Sequence, residues 1–154
     1  MSRSSTADTV LMDSIAQNLF DALPIFRKRV LHLDTIQREH GIPLSHVQVL
    51  ALLNDHDSLP ISELSRRLGI AKPNVTPLVD RLCSLNLAER CRDLQDRRVI
   101  NVRILPEGQA KLAQIRQTLV QEVDDWANQF SKAELKSLNR ALGCIIRTLG
   151  SLGE

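Results

Sequence analysis

Apolar residues recur every three or four positions along the first part of the chain, which is the period of an amphipathic helix. They are Leu11, Ile15, Leu19, Leu23, Phe26, Val30 and Leu33. We expect one long helix from Val10 to about Gln37, kinked or restarted at Pro24, because proline lacks the amide hydrogen that a helix interior requires. Gly41 and Pro43 should end this helix.

A second, shorter helix is predicted after Pro43. Ser45 and Gln48 have the spacing of a capping box, in which two side chains bond the free amides of a first helical turn. The helix should therefore run from His46 to about Asn54. Residues 55–60 are mostly polar, and we expect a loop there.

The next segment predicts a helix-turn-helix. A short helix at Ile61–Leu68 is followed by Gly69, the residue type preferred at the left-handed position after a helix. A second helix should start at Lys72 or Asn74 and end near Leu85. Its inner face is apolar and comprises Val75, Leu78, Val79 and Leu82. Its outer face comprises Asn74, Thr76, Pro77, Arg81 and Ser84.

Two prolines near the start of this second helix constrain its geometry. Proline is tolerated only near a helix start, where the amide donors have no partner in any case. We therefore expect both Pro73 and Pro77 in or beside the first turn, with Asn74 as the capping residue.

Two short strands, Leu87–Arg92 and Val99–Leu105, are predicted to follow as a hairpin. The second strand alternates Ile100, Val102 and Ile104 with Asn101 and Arg103, the mark of a half-buried strand. A helix-turn-helix followed by a basic hairpin is a winged helix. In such a module the second helix fits a DNA major groove, and the hairpin reaches the backbone or the minor groove.

The chain after Pro106 is again helical in pattern. One apolar stripe comprises Leu112, Ile115, Leu119, Val123, Trp126 and Phe130. Ser131 and Glu134 form a second capping box, which opens a last helix. That helix carries a seam of apolar residues at coiled-coil-like spacing, namely Leu135, Leu138, Leu142, Ile145 and Leu149.

These long terminal helices present more apolar surface than a small winged helix can cover. The economical partner is a second copy of the chain, so we expect an obligate homodimer. The dimerisation residues would be Leu11, Ile15, Leu19, Trp126, Leu135, Leu138, Leu142, Ile145 and Leu149. The expected fold is mainly α with a small β-hairpin wing (α+β), with residues 1–40 and 106–154 forming the dimerisation regions and residues 41–105 the winged helix.

Charge and composition agree with a nucleic-acid contact. The net charge is only +2, but residues 66–103 hold nine Lys or Arg against four acids, the local basic footprint of a DNA-binding face. Cys83, Cys91 and Cys144 show no CxxC pattern and no His at metal spacing, so we expect neither disulfides nor a metal. No enzyme signature, cofactor motif, membrane span or leader peptide stands out, and we expect a cytoplasmic protein with reduced thiols.

Several motifs together resemble the MarR family of bacterial transcriptional regulators. They are Ile61-Ser-Glu-Leu-Ser-Arg-Arg-Leu-Gly-Ile70, Val75-Thr-Pro-Leu-Val-Asp-Arg-Leu82, Leu87-Ala-Glu-Arg90, Asp93-x-x-Asp-Arg-Arg98 and Leu105-Pro-Glu-Gly108. The resemblance runs from about residue 10 to residue 150. It implies a homodimer on a palindromic DNA operator and a repressor role. It also implies a pocket for a small aromatic or anionic effector.

The resemblance also implies particular residue roles. DNA contacts would come from Lys72, Pro73, Asn74, Thr76, Pro77, Arg81, Arg92, Arg97 and Arg98. An ion pair between Asp80 and Arg98 would orient the wing against the recognition helix. Pro77 departs from the family, which often has a polar or basic residue there. A reactive cysteine in the first helix, found in the peroxide-sensing branch, is also missing from residues 1–82.

A winged helix can alternatively serve as a protein-interaction adaptor that never touches DNA. The charge pattern discriminates between the two, because an adaptor needs neither adjacent arginines at the wing tip nor a basic rim. That rim would comprise Arg66, Arg67, Arg90 and Arg92.

Overall fold

The computed structural model describes residues 6–26, 33–93 and 98–150. The elements in chain order are α1 Thr6–Ile25, α2 Leu33–His40, α3 Leu44–Asn54, β1 Leu59–Pro60, α4 Ile61–Leu68, α5 Lys72–Ser84, β2 Ala88–Arg92, β3 Ile100–Ile104, α6 Pro106–Ala127 and α7 Lys132–Gly150. The chain is therefore mainly helical with one small antiparallel sheet, and the expected fold class is confirmed. None of the described helices combines the length and the apolar character needed to cross a membrane.

The first predicted helix is described as two elements. Helix α1 ends one residue after Pro24, and α2 begins at Leu33. Residues 27–32 lie outside the described part of the chain, and Val30 of the predicted stripe lies among them. The apolar side chains of α1 are exposed, with Leu11, Ile15 and Leu19 at 54%, 44% and 55%.

The core of the winged helix is built around α3. Val49, Leu50 and Leu53 of this helix are completely buried, and α3 packs against α4, α5, α6 and β3. Burial of this apolar face stabilises the packing of these elements. The other fully buried large side chains are Ile36, Leu64, Val75, Val79, Leu82, Val102 and Ile115.

Helix α3 begins earlier than predicted and without a capping box. Pro43 is its N-cap, at φ −65° and ψ 158°, and no side chain caps the helix. The proline carbonyl accepts bonds from the amides of His46 and Val47, at 3.0 and 3.3 Å, so backbone geometry starts the helix. Ser45 lies inside the first turn instead, with its hydroxyl 3.3 Å from Nδ1 of His46.

The sheet has three strands in the order β1-β3-β2, all antiparallel. Strand β1 was expected to be loop, since two residues are too short to show an alternating pattern. Strand β3 departs from the predicted alternation, because Ile100 is 51% exposed and Asn101 is only 8% exposed. Asn101 Nδ2 donates to Asp93 Oδ2 at 2.9 Å, which offsets the burial of the amide nitrogen, while Oδ1 has no hydrogen-bond partner among the described residues.

The first turn of helix α6 packs closely against the hairpin at Gly108. A Cβ added to Gly108 would overlap the carbonyl oxygen of Leu87 and lie 2.8 Å from Cγ1 of Ile104. The amide of Leu105 also donates to the Leu87 carbonyl, at 3.0 Å. The first turn of α6 is thus seated directly on backbone, a close approach that only glycine permits.

The ends of the chain differ sharply from this core. Burial in α6 stops at Ile115, and no residue of α7 is buried. The predicted capping box of α7 is confirmed, since the amide of Ser131 donates to Glu134 Oε2 at 2.8 Å and the amide of Glu134 donates to Ser131 Oγ at 3.3 Å. Of the predicted seam and Trp126, the half-buried residues are Trp126, Leu135, Leu138 and Leu142, and the exposed residues are Ile145 and Leu149.

Candidate nucleic-acid interface

The turn between α4 and α5 is a rigid connection. Gly69 adopts the left-handed conformation at φ 65° and ψ 26°, as its position predicted. The amides of Gly69 and Ile70 bond back to the carbonyls of Arg66 and Ser65, and the Ser65 hydroxyl donates to the Ile70 carbonyl at 2.6 Å. These bonds satisfy the free carbonyls at the end of α4, and they fix the direction in which α5 starts.

Helix α5 is seated by its inner face. Val75, Val79 and Leu82 are completely buried, and they recur at three- and four-residue spacing, so they occupy one side of the helix. The predicted inner stripe is confirmed at these three positions, while Leu78 is half-buried. The predicted outer residues Asn74, Pro77, Arg81 and Ser84 are exposed, and Thr76 is half-buried.

The start of α5 corrects two expectations. Its N-cap is Ala71, and no side chain caps it. Asn74 is therefore not the cap; its amide donates to the Ala71 carbonyl at 2.8 Å, and its side chain is left exposed. Pro73 lies within the first two positions, as expected, whereas Pro77 lies inside the helix. The lost amide bond there is tolerated because the buried inner face holds the helix in place.

Two arginines of the predicted basic rim are engaged by an acid on their own helix. Glu63 accepts from Arg66 Nη2 at 2.7 Å and from Arg67 Nε at 2.6 Å. These hydrogen bonds, with Arg66 the larger influence, hold the pKa of Glu63 at about 2. The acid is therefore ionised at neutral pH, and it offsets part of the positive charge of α4.

Asp80, the acidic residue of α5, forms an ion pair with an arginine of the hairpin. Asp80 Oδ1 lies 2.7 Å from Arg90 Nη2, on strand β2. This ion pair joins α5 to the hairpin, and the expected pair between Asp80 and Arg98 stays a prediction. Arg90 lies on β2, the strand that contacts α5. Arg98 lies two residues before β3, which begins at Ile100.

The cations that remain for DNA lie on α5 and at the hairpin. Lys72, Arg81 and Arg92 are exposed, and no ion pair is shown for them within the described residues. Arg98 is exposed too, but it makes an interaction of its own, and Arg97 lies outside the described residues. By contrast, Arg103 is held by Glu89 on the neighbouring strand, which raises the pKa of the Arg103 guanidinium. Fewer cations are therefore available than the sequence count of nine suggests.

A histidine lies behind the recognition helix. His46 of α3 is only 8% exposed. Burial, and secondarily the positive charge of Arg81, lowers the pKa of His46 from its ordinary value of 6.5. The ring is consequently neutral at pH 7, which avoids a second positive charge next to Arg81.

The predicted effector pocket stays a prediction. A shallow hollow of about 580 Å³ lies at the end of α3, beside Ile104 and Gln109. Its rim carries Asp55 and Asp57, whose charge opposes an anionic ligand.

Of the cysteines, Cys83 and Cys91 are half-buried and Cys144 is exposed, and burial raises the pKa of the Cys83 thiol.

Sequence reasoning missed three functional features here, namely the engagement of Arg66 and Arg67 by Glu63, the role of Arg90, and the buried Asn101. The first had a readable signal, because acid and base at i,i+3 and i,i+4 lie on one helix face. The other two depend on strand register and on the path of the hairpin, which no local pattern specifies.

Part of the chain is similar in sequence to known transcriptional regulators. Residues 40–99 match the MarR family. The chain is 34% identical over 83 residues to the HTH-type transcriptional repressor MdtR of Bacillus subtilis, covering 54% of this chain and 53% of that protein. It is 29% identical over 93 residues to the HTH-type transcriptional regulator YsmB of the same organism, covering 60% and 64%. The chain thus spans roughly half to two thirds of the length of these two relatives.

Solved structures extend the likeness in fold to almost the whole chain. Wild-type MarR in its apo form from E. coli superposes with a TM-score of 0.68 at 18% identity, covering 94% of this chain and 99% of that one. A MarR mutant from E. coli complexed with operator DNA gives a TM-score of 0.67 at 21% identity, covering 88% and 98%. The terminal helices as well as the winged helix therefore follow this fold.

Proposed function

We propose that the chain is a winged helix-turn-helix protein of the MarR family, which its residues 40–99 match, and that it regulates transcription by binding operator DNA as a homodimer. The observation that carries the proposal is the outer face of α5. Its inner residues Val75, Val79 and Leu82 are completely buried, so the opposite face, with the exposed Arg81, is presented to solvent. Regulators of this family are not enzymes, in agreement with the sequence analysis.

The proposed DNA contacts divide between helix and hairpin. Helix α5 would enter the major groove with Asn74, Thr76, Pro77 and Arg81 towards the base edges. Lys72 and Pro73, in its first turn, would lie nearest the phosphates. The hairpin residues Arg92, Arg97 and Arg98 would contact phosphates or the minor groove. Phosphate contacts supply affinity, whereas base contacts supply sequence preference.

The proposed homodimer is supported by the uncovered terminal helices. No residue of α7 is buried, and Ile145 and Leu149 are 48% and 52% exposed. The same holds for the apolar residues of α1, such as Leu11 and Leu19. An isologous contact between two copies would cover such faces and place two winged helices on a palindromic site. Residues 1–40 and 106–154 would then be the dimerisation regions.

The direction of regulation rests on a relative. MdtR is a transcriptional repressor, and we extend that role to this chain, with release by a small aromatic or anionic effector. The protein would act in the cytoplasm, where bacterial DNA lies. Repression follows physically if the operator overlaps a promoter, because the bound dimer excludes the polymerase.

The test is salt-dependent binding to DNA by the full chain. We expect binding to random-sequence duplex at about 50 mM salt, with an affinity that falls steeply as salt rises because counterions are released from phosphates. Lys72→Ala should reduce the slope by about one phosphate contact. Lys136→Ala is the matched control, since Lys136 is an exposed cation on α7, and it should leave the slope unchanged.

A protein that binds no duplex at low salt would overturn the proposal and favour the adaptor role. Equal loss of slope for Lys136→Ala would show that net charge, rather than the α5 face, governs binding. Sequencing of genomic fragments that co-purify with the protein then identifies the operator.

A further inference from the structure

The outermost line of the recognition helix is formed by prolines. At 100° per residue, Pro77 lies opposite the midpoint of the buried stripe that Val75, Val79 and Leu82 form. Pro73 lies almost directly above it, one turn earlier. Both prolines are exposed. The part of α5 that projects furthest from the core in its first two turns is therefore apolar and carries no hydrogen-bonding group.

The hydroxyl groups on this helix are already engaged. Thr76 Oγ1 donates to the Lys72 carbonyl at 3.2 Å, and Ser84 Oγ donates to the Arg81 carbonyl at 2.8 Å. Neither hydroxyl proton is free to read a base without breaking a bond inside the helix. Among the proposed base-reading residues, polar readout is left to Asn74 and Arg81, which flank the proline line on one side.

The major groove offers one apolar feature to such a surface, the 5-methyl group of thymine. Every other base edge there presents donors or acceptors, and covering them with a proline ring would leave them without a partner, at a cost in free energy. A proline ring also loses almost no side-chain entropy on contact. A proline at the centre of the face therefore favours thymine and disfavours the other bases.

We propose that Pro77 is a specificity-determining residue that reads thymine through van der Waals contact with its 5-methyl group, with Pro73 supporting the same contact. This inference rests on the proposed function, because it assumes that α5 enters the major groove. Lys72, in the first turn of α5, would supply sequence-independent attraction to the phosphates. Each half-site of the operator should then contain a thymine at a fixed position opposite Pro77.

The test separates the methyl group from the rest of the base. High-affinity duplexes are first selected from a random-sequence library with the full-length protein. Each thymine of the selected half-site is then replaced singly by deoxyuridine, which lacks only the methyl group. We expect about a three- to tenfold loss of affinity at one or two positions per half-site, the size expected for one buried methyl contact, and no change elsewhere.

Pro77→Ala should remove this difference, so that the variant binds the thymine and deoxyuridine duplexes equally. Alanine is the better helix former, and circular dichroism should show an intact fold. Ser84→Ala is the matched control, because Ser84 is exposed on the same side of α5, and it should keep the discrimination of wild type.

The outcomes are distinguishable. Specific binding that is indifferent to deoxyuridine at every position overturns the role of Pro77 and leaves the proposed function intact. A deoxyuridine effect that persists in Pro77→Ala assigns the methyl contact to another residue and also overturns the inference. Failure of wild type to bind any duplex overturns the proposed function, and this inference with it.

Discussion

The winged helix and helix α7 use similar apolar residues with opposite results. Every buried residue of the described chain lies between Ile36 and Ile115, whereas the nineteen residues of α7 include none. Ile146 of α7 is 71% exposed, while Ile36 is 1% exposed. The difference shows that apolar content does not decide which region is self-sufficient. What decides it is whether neighbouring elements cover the apolar residues, and within one chain no residue of α7 is fully covered.

Deleting residues 131–154 should have the largest effect on this comparison. If α7 is covered by a second copy, its removal eliminates the dimer and leaves the exposed apolar residues of α1 without a partner surface. We expect an aggregating or unfolded product, measured by light scattering and thermal unfolding against the full chain. A soluble monomer that unfolds cooperatively would show that the winged helix needs no partner and that α7 is not the dimerisation element.

A pair of leucine truncations should separate the two regions energetically. Leu82 is completely buried in the winged helix, so Leu82→Ala should lower the free energy of unfolding by about 2–5 kcal/mol. Leu138 is half-buried on α7, so Leu138→Ala should act mainly through association. Its effect should therefore grow as the protein is diluted.

Denaturant unfolding at several protein concentrations measures both variants. A loss for Leu138→Ala that is large and independent of concentration would mean that α7 is stabilised within one chain. A small loss for Leu82→Ala would mean that the winged-helix core relaxes around the cavity.

Breaking the ion pair between α5 and β2 should affect binding more than stability. Arg90 and Asp80 are 39% and 55% exposed, so Asp80→Ala or Arg90→Ala should cost only about 0–1 kcal/mol of stability. If the pair positions the hairpin against α5, both variants should weaken operator binding, and the double variant should lose less than the sum. Tighter binding by Asp80→Ala would instead indicate simple repulsion between this acid and phosphates.

The smallest expected effect is a pH dependence confined to the winged helix. The pKa of His46 in the folded chain is lowered from 6.5, by burial first and by Arg81 second. Above that pH the ring is neutral in both the folded and unfolded states, and the stability is fully present. As the pH falls below 6.5, the unfolded chain binds the proton more readily, so stability declines through the folded pKa.

Unfolding by urea between pH 5 and 8 measures this effect. His46→Gln should flatten the decline, and Arg81→Ala should flatten it in part, because it removes the smaller of the two influences. An unchanged pH profile for His46→Gln would assign the dependence to another group.

Sequence alone was sufficient for the features that depend on local chemistry. Gly69 marked the turn, Ser131 and Glu134 marked the start of α7, and the periodic apolar stripes marked the helices. Local patterns failed where tertiary contacts decide. Pro77 is tolerated inside α5 because the inner face of that helix is buried. Asn101 is buried in a strand position where its amide donates a hydrogen bond to Asp93.

The candidate site was predictable in its residue types but not in its pairing. The expected partner of Asp80 was Arg98, and the structure shows Asp80 paired with Arg90 of β2. Which arginine reaches the acid depends on the register of β2 against β3, and adjacent cations in sequence give no information on that register. The available positive charge was also overestimated, since Glu63 engages Arg66 and Arg67 on its own helix and Glu89 engages Arg103 across the sheet.

The close contact between Gly108 and the Leu87 carbonyl fixes the direction in which α6 starts. Helix α6 has 22 residues, so it extends about 33 Å from that point. A side chain as small as a methyl group would lift the first turn, and a tilt of about 5° would move the far end by roughly 3 Å, given that length. In the proposed homodimer, glycine at this position would therefore set the angle at which α6 leaves the hairpin, and with it the distance between the two α5 helices along a duplex.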